Sequence, residues 1–255
     1  MFDFTTFDFD SSQWLVLCIC AVMVGITKTG VPGIGILAVP LLALLFPAKA
    51  STGLLLPMLA FADLFAVAYY RRHARWPLII RLLPPALAGI AAGSLLIRYI
   101  DNDQLKPLIG FIVLSMLAVN YWRGRRTEGT LQVPTHWSFA VTLGFFAGLT
   151  TQLANAAGPI MVIYLLAMRL DKHSFIGTGA WYFLILNWLK IPLFVWDGRI
   201  TLQSVKTDVM MCPFIIVGVV LGILILKKIP QNWFNFIVQI LALAAAIKLI
   251  LTIFI

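Results

Sequence analysis

The chain has 255 residues, of which 61% are hydrophobic and only 11% are charged. A soluble domain is about 45–50% apolar and about 25% charged, and it needs a polar surface that this composition cannot supply. The composition therefore excludes an ordinary soluble enzyme, a disordered chain and a nucleic-acid-binding module. It predicts an integral membrane protein that crosses the bilayer several times.

The charges are unevenly distributed, with 19 basic and 10 acidic residues giving a net charge of +9. In membrane proteins Lys and Arg collect in cytoplasmic loops, so the excess indicates topology and does not indicate a nucleic-acid partner. The basic stretches 71–75 and 123–126 are therefore predicted to lie on the cytoplasmic side. This arrangement leaves the acidic N-terminus outside.

Ten apolar segments follow one another along the chain, and they predict an all-α polytopic fold. About 20 residues cross a bilayer, so six segments are long enough to span it: 51–70, 77–99, 105–122, 173–195, 204–227 and 232–254. The other four are shorter and form two neighbouring pairs, each with a glycine- or proline-rich junction: 13–27 with 31–47, and 136–151 with 156–170. We expect each pair to form broken or re-entrant helices rather than two full spans.

A polar linker at 123–135 divides these segments into five and five, and residues recur across it at offsets of 123 to 129. The matched pairs include Trp14 and Trp137, Gly25 and Gly148, Asp63 and Asn187, Gly89 and Gly218, and Gly93 and Gly222. An odd number of segments per copy places the second copy upside down in the membrane. The sequence therefore predicts two inverted repeats, 1–122 and 136–255, a plan found in secondary transporters.

The junction in each short pair is the predicted binding site. The first reads GITKTGVPGIG over 25–35 and the second GLTTQLANAAGP over 148–159. Glycine and proline interrupt the helix there, and the freed backbone groups must be buried in protein or face a wet cavity. A helix that restarts after such a break presents N–H groups and a positive dipole end, which suit an anion. The candidate binding residues are Thr27, Lys28, Thr29, Gly30, Gly33, Gly35, Thr151, Gln152, Asn155 and Gly158.

Few other polar residues lie within the predicted spans. Asp63 is near the centre of its segment, where a carboxylate is costly and marks a functional site by default, so we predict a coupling or gating role. Asn187 and Lys190 lie one helical turn apart on one face and join the predicted binding set. Two alternatives remain: an Asp63–Lys190 ion pair that only holds two helices together, and junctions that are ordinary loops.

A family resemblance appears in the run KTGVPGIGILAVPLLALLF at 28–46, followed by Asp63, and in the later run from Gly177 through Asn187, Lys190 and Pro192. Together these resemble the TauE/SafE sulfite-exporter family of bacterial membrane transporters. The resemblance implies export of sulfite, sulfonates or related organic acids across the cytoplasmic (inner) membrane of a bacterium. It places Lys28, Gly30, Pro32, Gly33 and Gly35 on the first family motif, and Asn155, Gly158 and Pro159 on a second that has fewer glycines here.

The predicted function is a secondary carrier that binds a small anion between the two broken helices, within a lipid bilayer. The sequence contains no nucleophile–base pair, metal-ligand spacing or phosphate-binding loop, so we predict neither enzymatic activity nor a cofactor. An anion channel and a non-catalytic assembly partner of a membrane complex remain as alternatives. Proton coupling, the direction of transport and the oligomeric state are left open by the residues themselves.

Overall fold

The computed structural model describes residues 9–30, 35–124 and 137–225, together with seven positions between 240 and 251. These residues contain no strand, and they form nine α-helices and a 3₁₀ turn at Arg71–His73. The helices are α1 (Ser11–Thr29), α2 (Gly35–Leu45), α3 (Ala48–Tyr70), α4 (Trp76–Tyr99), α5 (Asn102–Gly124), α6 (Trp137–Ala154), α7 (Gly158–Ala167), α8 (Lys172–Trp196) and α9 (Leu202–Ile225). The predicted binding residue Gly33, residues 125–135 of the predicted linker 123–135 and most of the predicted segment 232–254 lie outside the described residues. The first two linker residues, Arg123 and Gly124, end α5.

Five stretches of helix in the described ranges are long and apolar enough to cross a membrane: Ser11–Thr29, Ala48–His73, Trp76–Tyr99, His173–Trp196 and Leu202–Leu224. The all-α membrane fold predicted from composition is therefore confirmed. The hydrophobic side chains that remain exposed on these helices are numerous, as expected for surfaces that face lipid.

The two short pairs differ in detail from the prediction. Helix α1 has 19 residues and is one of the five stretches that can cross a membrane, so the prediction that its segment is too short was wrong. Helix α6 has 18 residues, about 27 Å at 1.5 Å per residue, and is not among those five stretches. The N-terminus of α1 lies earlier than predicted because Asp10 caps it, accepting from the N–H groups of Ser12 and Gln13. The second members are short, as predicted, with 11 residues in α2 and 10 in α7.

Helix α2 folds back antiparallel along α1. The side-chain amide of Gln13 donates to the carbonyl of Leu45 at 3.4 Å, so the start of α1 lies beside the end of α2. At the other end of the pair, Gly35 packs directly against the side chain of Thr27. The first junction therefore reverses the chain direction.

Two close helix crossings depend on glycine. Helix α1 packs on α9 and α6 packs on α4, and at both crossings the backbones touch where the side chain is a hydrogen atom. A Cβ added at Gly25 would overlap the carbonyl of Ile215, and one added at Gly148 would overlap the carbonyl of Ala86. Each crossing thus joins a helix of the first half of the chain to one of the second.

Helices α3 and α8 lie side by side and antiparallel at the centre of the fold. Gly53, near the start of α3, packs on the carbonyl of Arg199 just after α8, while Gly177, near the start of α8, packs on the carbonyl of Tyr70 at the end of α3. The two helices carry Asp63, Asn187 and Lys190, all fully or almost fully buried. This pair positions the polar centre described next.

Candidate functional site

The first interruption of the helices follows Lys28. Helix α1 ends at Thr29, whose hydroxyl donates to the carbonyls of Gly25 at 3.1 Å and Val219 at 3.0 Å. The hydroxyl of Tyr70 donates to the carbonyl of Thr29 at 3.2 Å, so a side chain of α3 pairs with a carbonyl that α1 itself leaves free. These bonds fix the end of α1 beside α3 and leave the Lys28 side chain directed toward the interior.

Lys28 and Asp63 form a buried ion pair. The Nζ atom of Lys28 lies 2.7 Å from Oδ1 of Asp63, with side-chain exposures of 10% and 0%. The other carboxylate oxygen accepts from the side-chain amide of Asn187, at 2.7 Å. The ammonium also lies 4.5 Å from the ring centroid of Phe183, where the negative face of the ring stabilises a cation. The buried carboxylate of Asp63 therefore has the Lys28 ammonium beside one oxygen and a hydrogen bond from Asn187 on the other.

The second interruption is a turn at Asn155. Helix α6 ends at Ala154 and α7 begins at Gly158. Asn155 has a φ of 52°, in the left-handed region that asparagine tolerates better than most residues. Its side-chain amide donates to the carbonyl of Thr52 on α3, at 2.9 Å. The turn is thus attached to the start of the central helix.

Lys190 joins this turn to α8. Its Nζ atom donates to the carbonyl of Thr151 at 2.9 Å, to the hydroxyl of Thr151 at 2.9 Å and to Oδ1 of Asn155 at 2.7 Å. These three bonds use all three ammonium hydrogens, and the side chain is fully buried. A cation at the C-terminus of α6 is also favoured by the helix dipole.

The two interruptions are therefore connected through α3 and α8. Asn187 contacts the Lys28–Asp63 pair, and Lys190, one turn further along α8, contacts Thr151 and Asn155. Asp63 pairs with Lys28 rather than with Lys190. The alternative of an Asp63–Lys190 ion pair was therefore wrong about which lysine pairs with Asp63. Lys190 bonds only to neutral oxygens, with no carboxylate within ion-pair distance among the residues described.

Arg199, which was not predicted from the sequence, extends the polar centre through the predicted binding residue Gln152. The guanidinium of Arg199 donates to the carbonyl of Gln152 at 2.9 Å, pairs with Asp197 at 3.0 Å and lies 3.4 Å from the ring centroid of Phe194. Burial lowers the pKa of Arg199 to about 10, partly opposed by Asp197, which leaves the group charged at neutral pH. The side-chain amide of Gln152 donates to Ser94 at 2.8 Å.

The remaining predicted binding residues are placed differently. The hydroxyl of Thr27 donates to the carbonyl of Met23 at 2.8 Å, and that of Thr29 is bonded as described above, so both are engaged with backbone. Gly30 packs against the backbone of Gly222, and Gly35 against Thr27. At Gly158, by contrast, an added Cβ would meet no atom of the described chain within 4 Å. On this side the N-terminus of α7 therefore meets no other atom of the described residues.

Across the described ranges, no group of three or more His, Cys, Asp or Glu side chains is placed to hold a metal ion. The polar centre instead consists of lysine, amide, hydroxyl and carbonyl groups around the carboxylate of Asp63, with the Arg199–Asp197 pair beside them. Such a set, buried between interrupted helices, defines a polytopic membrane protein with a polar centre suited to a small charged solute.

The chain belongs to the TauE/SafE sulfite-exporter family, because the sequence profile described as "Sulfite exporter TauE/SafE" matches residues 17–249. The resemblance stated from the sequence is thus confirmed. Members are membrane transporters of sulfite or related anions rather than enzymes, and the chain is accordingly a multi-pass membrane transporter of that kind. No curated protein and no solved structure matches the chain.

Proposed function

We propose that the protein is a secondary carrier that exports a small anion, such as sulfite or a sulfonate, across the cytoplasmic membrane of a bacterium. The observation that carries this proposal is the charge balance of the buried centre. Lys28 and Lys190 supply two positive charges, while Asp63 is the single carboxylate in contact with either of them in the described ranges. One buried positive charge thus lacks a counter-ion, and a bound anion would supply it.

The residues around Lys190 would form the binding site. Its ammonium already holds Thr151 and Asn155 in place, and Gly158 opens the start of α7, whose N–H groups and dipole favour an anion. Gln152 and Asn187 would add amide donors to the substrate, and Thr27, Thr29, Gly30, Gly33 and Gly35 would shape the site from the first junction.

Asp63 would act as the gate. It competes with a substrate anion for Lys28, so an anion that approaches Lys28 weakens the ion pair between α1 and α3. Release of Asp63 would in turn free Asn187, which bonds the other carboxylate oxygen. Binding would then alter the contact between α1, α3 and α8, as alternating access requires.

For this movement we propose an architecture of ten segments in two inverted repeats, 1–122 and 136–255. The cytoplasmic linker 123–135 joins the two repeats. Matching contacts support it. Gly222 packs on Thr29, whereas Gly93 packs on Gln152, and Thr29 and Gln152 are equivalent at the repeat offset of 123. The same equivalence relates the crossing of Gly25 with α9 to that of Gly148 with α4. Because five segments separate the N-terminus from the cytoplasmic linker, the N-terminus lies outside.

Counterflow in proteoliposomes tests the proposal. Vesicles loaded with unlabelled sulfite should take up labelled sulfite faster than empty vesicles, because a carrier exchanges one bound anion for another. The variant Lys28→Met should abolish this stimulation. Lys49→Met is the matched control, since Lys49 lies at the start of α3 and its described bonds involve only its backbone.

Two further measurements make the result decisive. Lys28→Met/Asp63→Asn removes both charges and keeps the site neutral, so most of the stability lost in Lys28→Met should return while its counterflow remains absent. Counterflow that persists in Lys28→Met would contradict the role of Lys28. Rapid sulfite flux with no stimulation by internal sulfite would identify an anion channel instead.

A further inference from the structure

A second buried carboxylate, Asp208, lies apart from the site described above. It is in the second turn of α9 and is only 6% exposed. Neither of its carboxylate oxygens has a hydrogen-bond partner or an ion-pair partner among the residues that the structure describes. Asp63, in contrast, has Lys28 on one oxygen and Asn187 on the other. The two acids therefore differ in how their negative charge is compensated.

The polar side chains beside Asp208 on α9 are already engaged with backbone. Ser204 and Thr207 donate to the carbonyls of Thr201 and Gln203, at 2.9 and 3.2 Å. The thiol of Cys212 lies 3.5 Å from the backbone carbonyl of Asp208 itself. None of these groups solvates the carboxylate.

Helix α9 packs against α1 and α3, and the ionisable side chains of these neighbours give Asp208 no partner either. Lys28 and Asp63 are committed to each other, and the hydroxyl of Tyr70 is bonded to Thr29. The remaining ionisable residues on the three helices, none of which contacts the Asp208 carboxylate, are Cys18, Cys20, Lys49, Tyr69 and Lys206.

An ionised carboxylate in such surroundings is strongly disfavoured, and it is relieved by binding a cation. A metal ion would need several more oxygen ligands than Asp208 offers, and no cluster of three acidic, His or Cys side chains exists in the described part of the chain. A proton needs one oxygen only. Of these two cations, the proton is therefore the one that suits the surroundings of Asp208.

We propose that Asp208 is a proton-binding site that couples anion movement to proton movement. In this step one carboxylate oxygen forms an O–H bond with a proton taken from water on one side of the membrane. The same bond breaks when the site opens to the other side, and the proton returns to water there. The inference rests on the proposed carrier function and assigns the proton to Asp208 and the gate to Asp63.

The test compares Asp208→Asn with the wild type in two proteoliposome assays, using labelled sulfoacetate because sulfite itself takes up protons near neutral pH. Asparagine mimics the protonated acid in shape and charge, so counterflow should continue at the wild-type rate. Stimulation of uptake by a pH gradient should be lost completely. Asp103→Asn, at an exposed position at the start of α5, should retain both activities.

The outcomes are separable. Absence of counterflow of both sulfite and sulfoacetate in the wild type would overturn the carrier function itself, whereas a pH-stimulated uptake that survives in Asp208→Asn would overturn only the assignment of the proton. A third measurement does not require transport: the infrared C=O stretch of a protonated carboxylic acid should be present in the purified wild type at neutral pH and lost in Asp208→Asn. If the two spectra are identical, Asp208 holds no proton and the inference is wrong.

Discussion

Asp63 and Asn187 lie 124 residues apart in the chain, within the range of offsets of the proposed repeat, and they bond directly to each other at 2.7 Å. One member of the pair is a charged acid and the other its neutral amide, so the contact is a hydrogen bond between unlike groups. Two acids at these positions would repel, and two amides would leave Lys28 without its counter-ion. The asymmetry of the two halves at this point therefore stabilises the centre of the molecule.

Removal of one partner of the Lys28–Asp63 pair should be more damaging than removal of both. Lys28→Met leaves an unpaired carboxylate in the core, and we expect the free energy of unfolding to fall by about 3–5 kcal/mol. Lys28→Met/Asp63→Asn should recover most of this loss, because no buried charge remains uncompensated. Thermal unfolding in detergent of the wild type, both single variants and the double variant measures the coupling. Additive effects of the two substitutions would show that the pair does not contribute to stability.

The left-handed backbone of Asn155 predicts different outcomes for two truncations. Both Asn155→Gly and Asn155→Ala lose the bonds to Thr52 and Lys190. Only alanine must adopt a φ of 52° with a Cβ, which costs about 1–2 kcal/mol. Asn155→Ala should therefore be the less stable variant in the same unfolding assay. Equal stabilities would mean that the turn relaxes to a different conformation.

The crossing of α4 and α6 should not accept a methyl group. Gly148→Ala would place its Cβ on the backbone carbonyl of Ala86, which cannot move without shifting α4. A loss of about 1–3 kcal/mol is expected, typical of overpacking. Gly179→Ala in α8 is the control, because its Cβ would lie at an ordinary 3.6 Å from Leu165. That variant should gain up to about 1 kcal/mol through higher helix propensity.

Asp171 at the start of α8 should make stability depend on pH in the acidic range. Hydrogen bonds from the hydroxyl and the backbone N–H of Ser174 lower the pKa of this carboxyl below its ordinary value, and the backbone N–H of His173 acts in the same direction. The stabilisation is therefore fully present above the unfolded pKa of about 3.9. It is lost as the pH falls through the lower folded value.

The measurement for Asp171 is the difference in unfolding temperature between the wild type and Asp171→Ala. The wild type should unfold at the higher temperature near neutral pH, because Asp171 is a good N-terminal cap of the helix. The difference should shrink as the buffer is acidified below about pH 4. A difference that is constant with pH would mean that the carboxylate charge does not contribute to the cap.

Much of the helical order was predictable because apolar runs and glycine-rich breaks are local signals. The junction after Lys28 and the turn at Asn155 were found in this way, as were Asp63 and Asn187 as buried polar residues. The partners of these residues were not predictable. Asp63 meets Lys28 rather than Lys190 because α2 folds back along α1 and brings the end of α1 beside α3, an arrangement that no local pattern specifies.

Arg199 and Asp208 were missed as parts of the buried interior for a related reason. Both lie close to the boundary of an apolar segment, where charged side chains ordinarily reach water. Arg199 is instead buried against Phe194 and Gln152, and Asp208 is covered because the start of α9 lies within the fold. A charge within a few residues of a span, without an opposite charge one turn away, is the signal that could have identified Asp208.

The glycine crossings also bear on how the protein is made. Helix α1 packs on α9, with Gly25 against the carbonyl of Ile215, so α1 obtains this neighbour only after the 190 residues that follow Gly25 have been synthesised. Until then the face of α1 that carries Gly25 lacks its α9 partner, and the chain cannot close around its charged interior. Contacts this distant in sequence form late, so the core cannot be sealed before α9 has been synthesised.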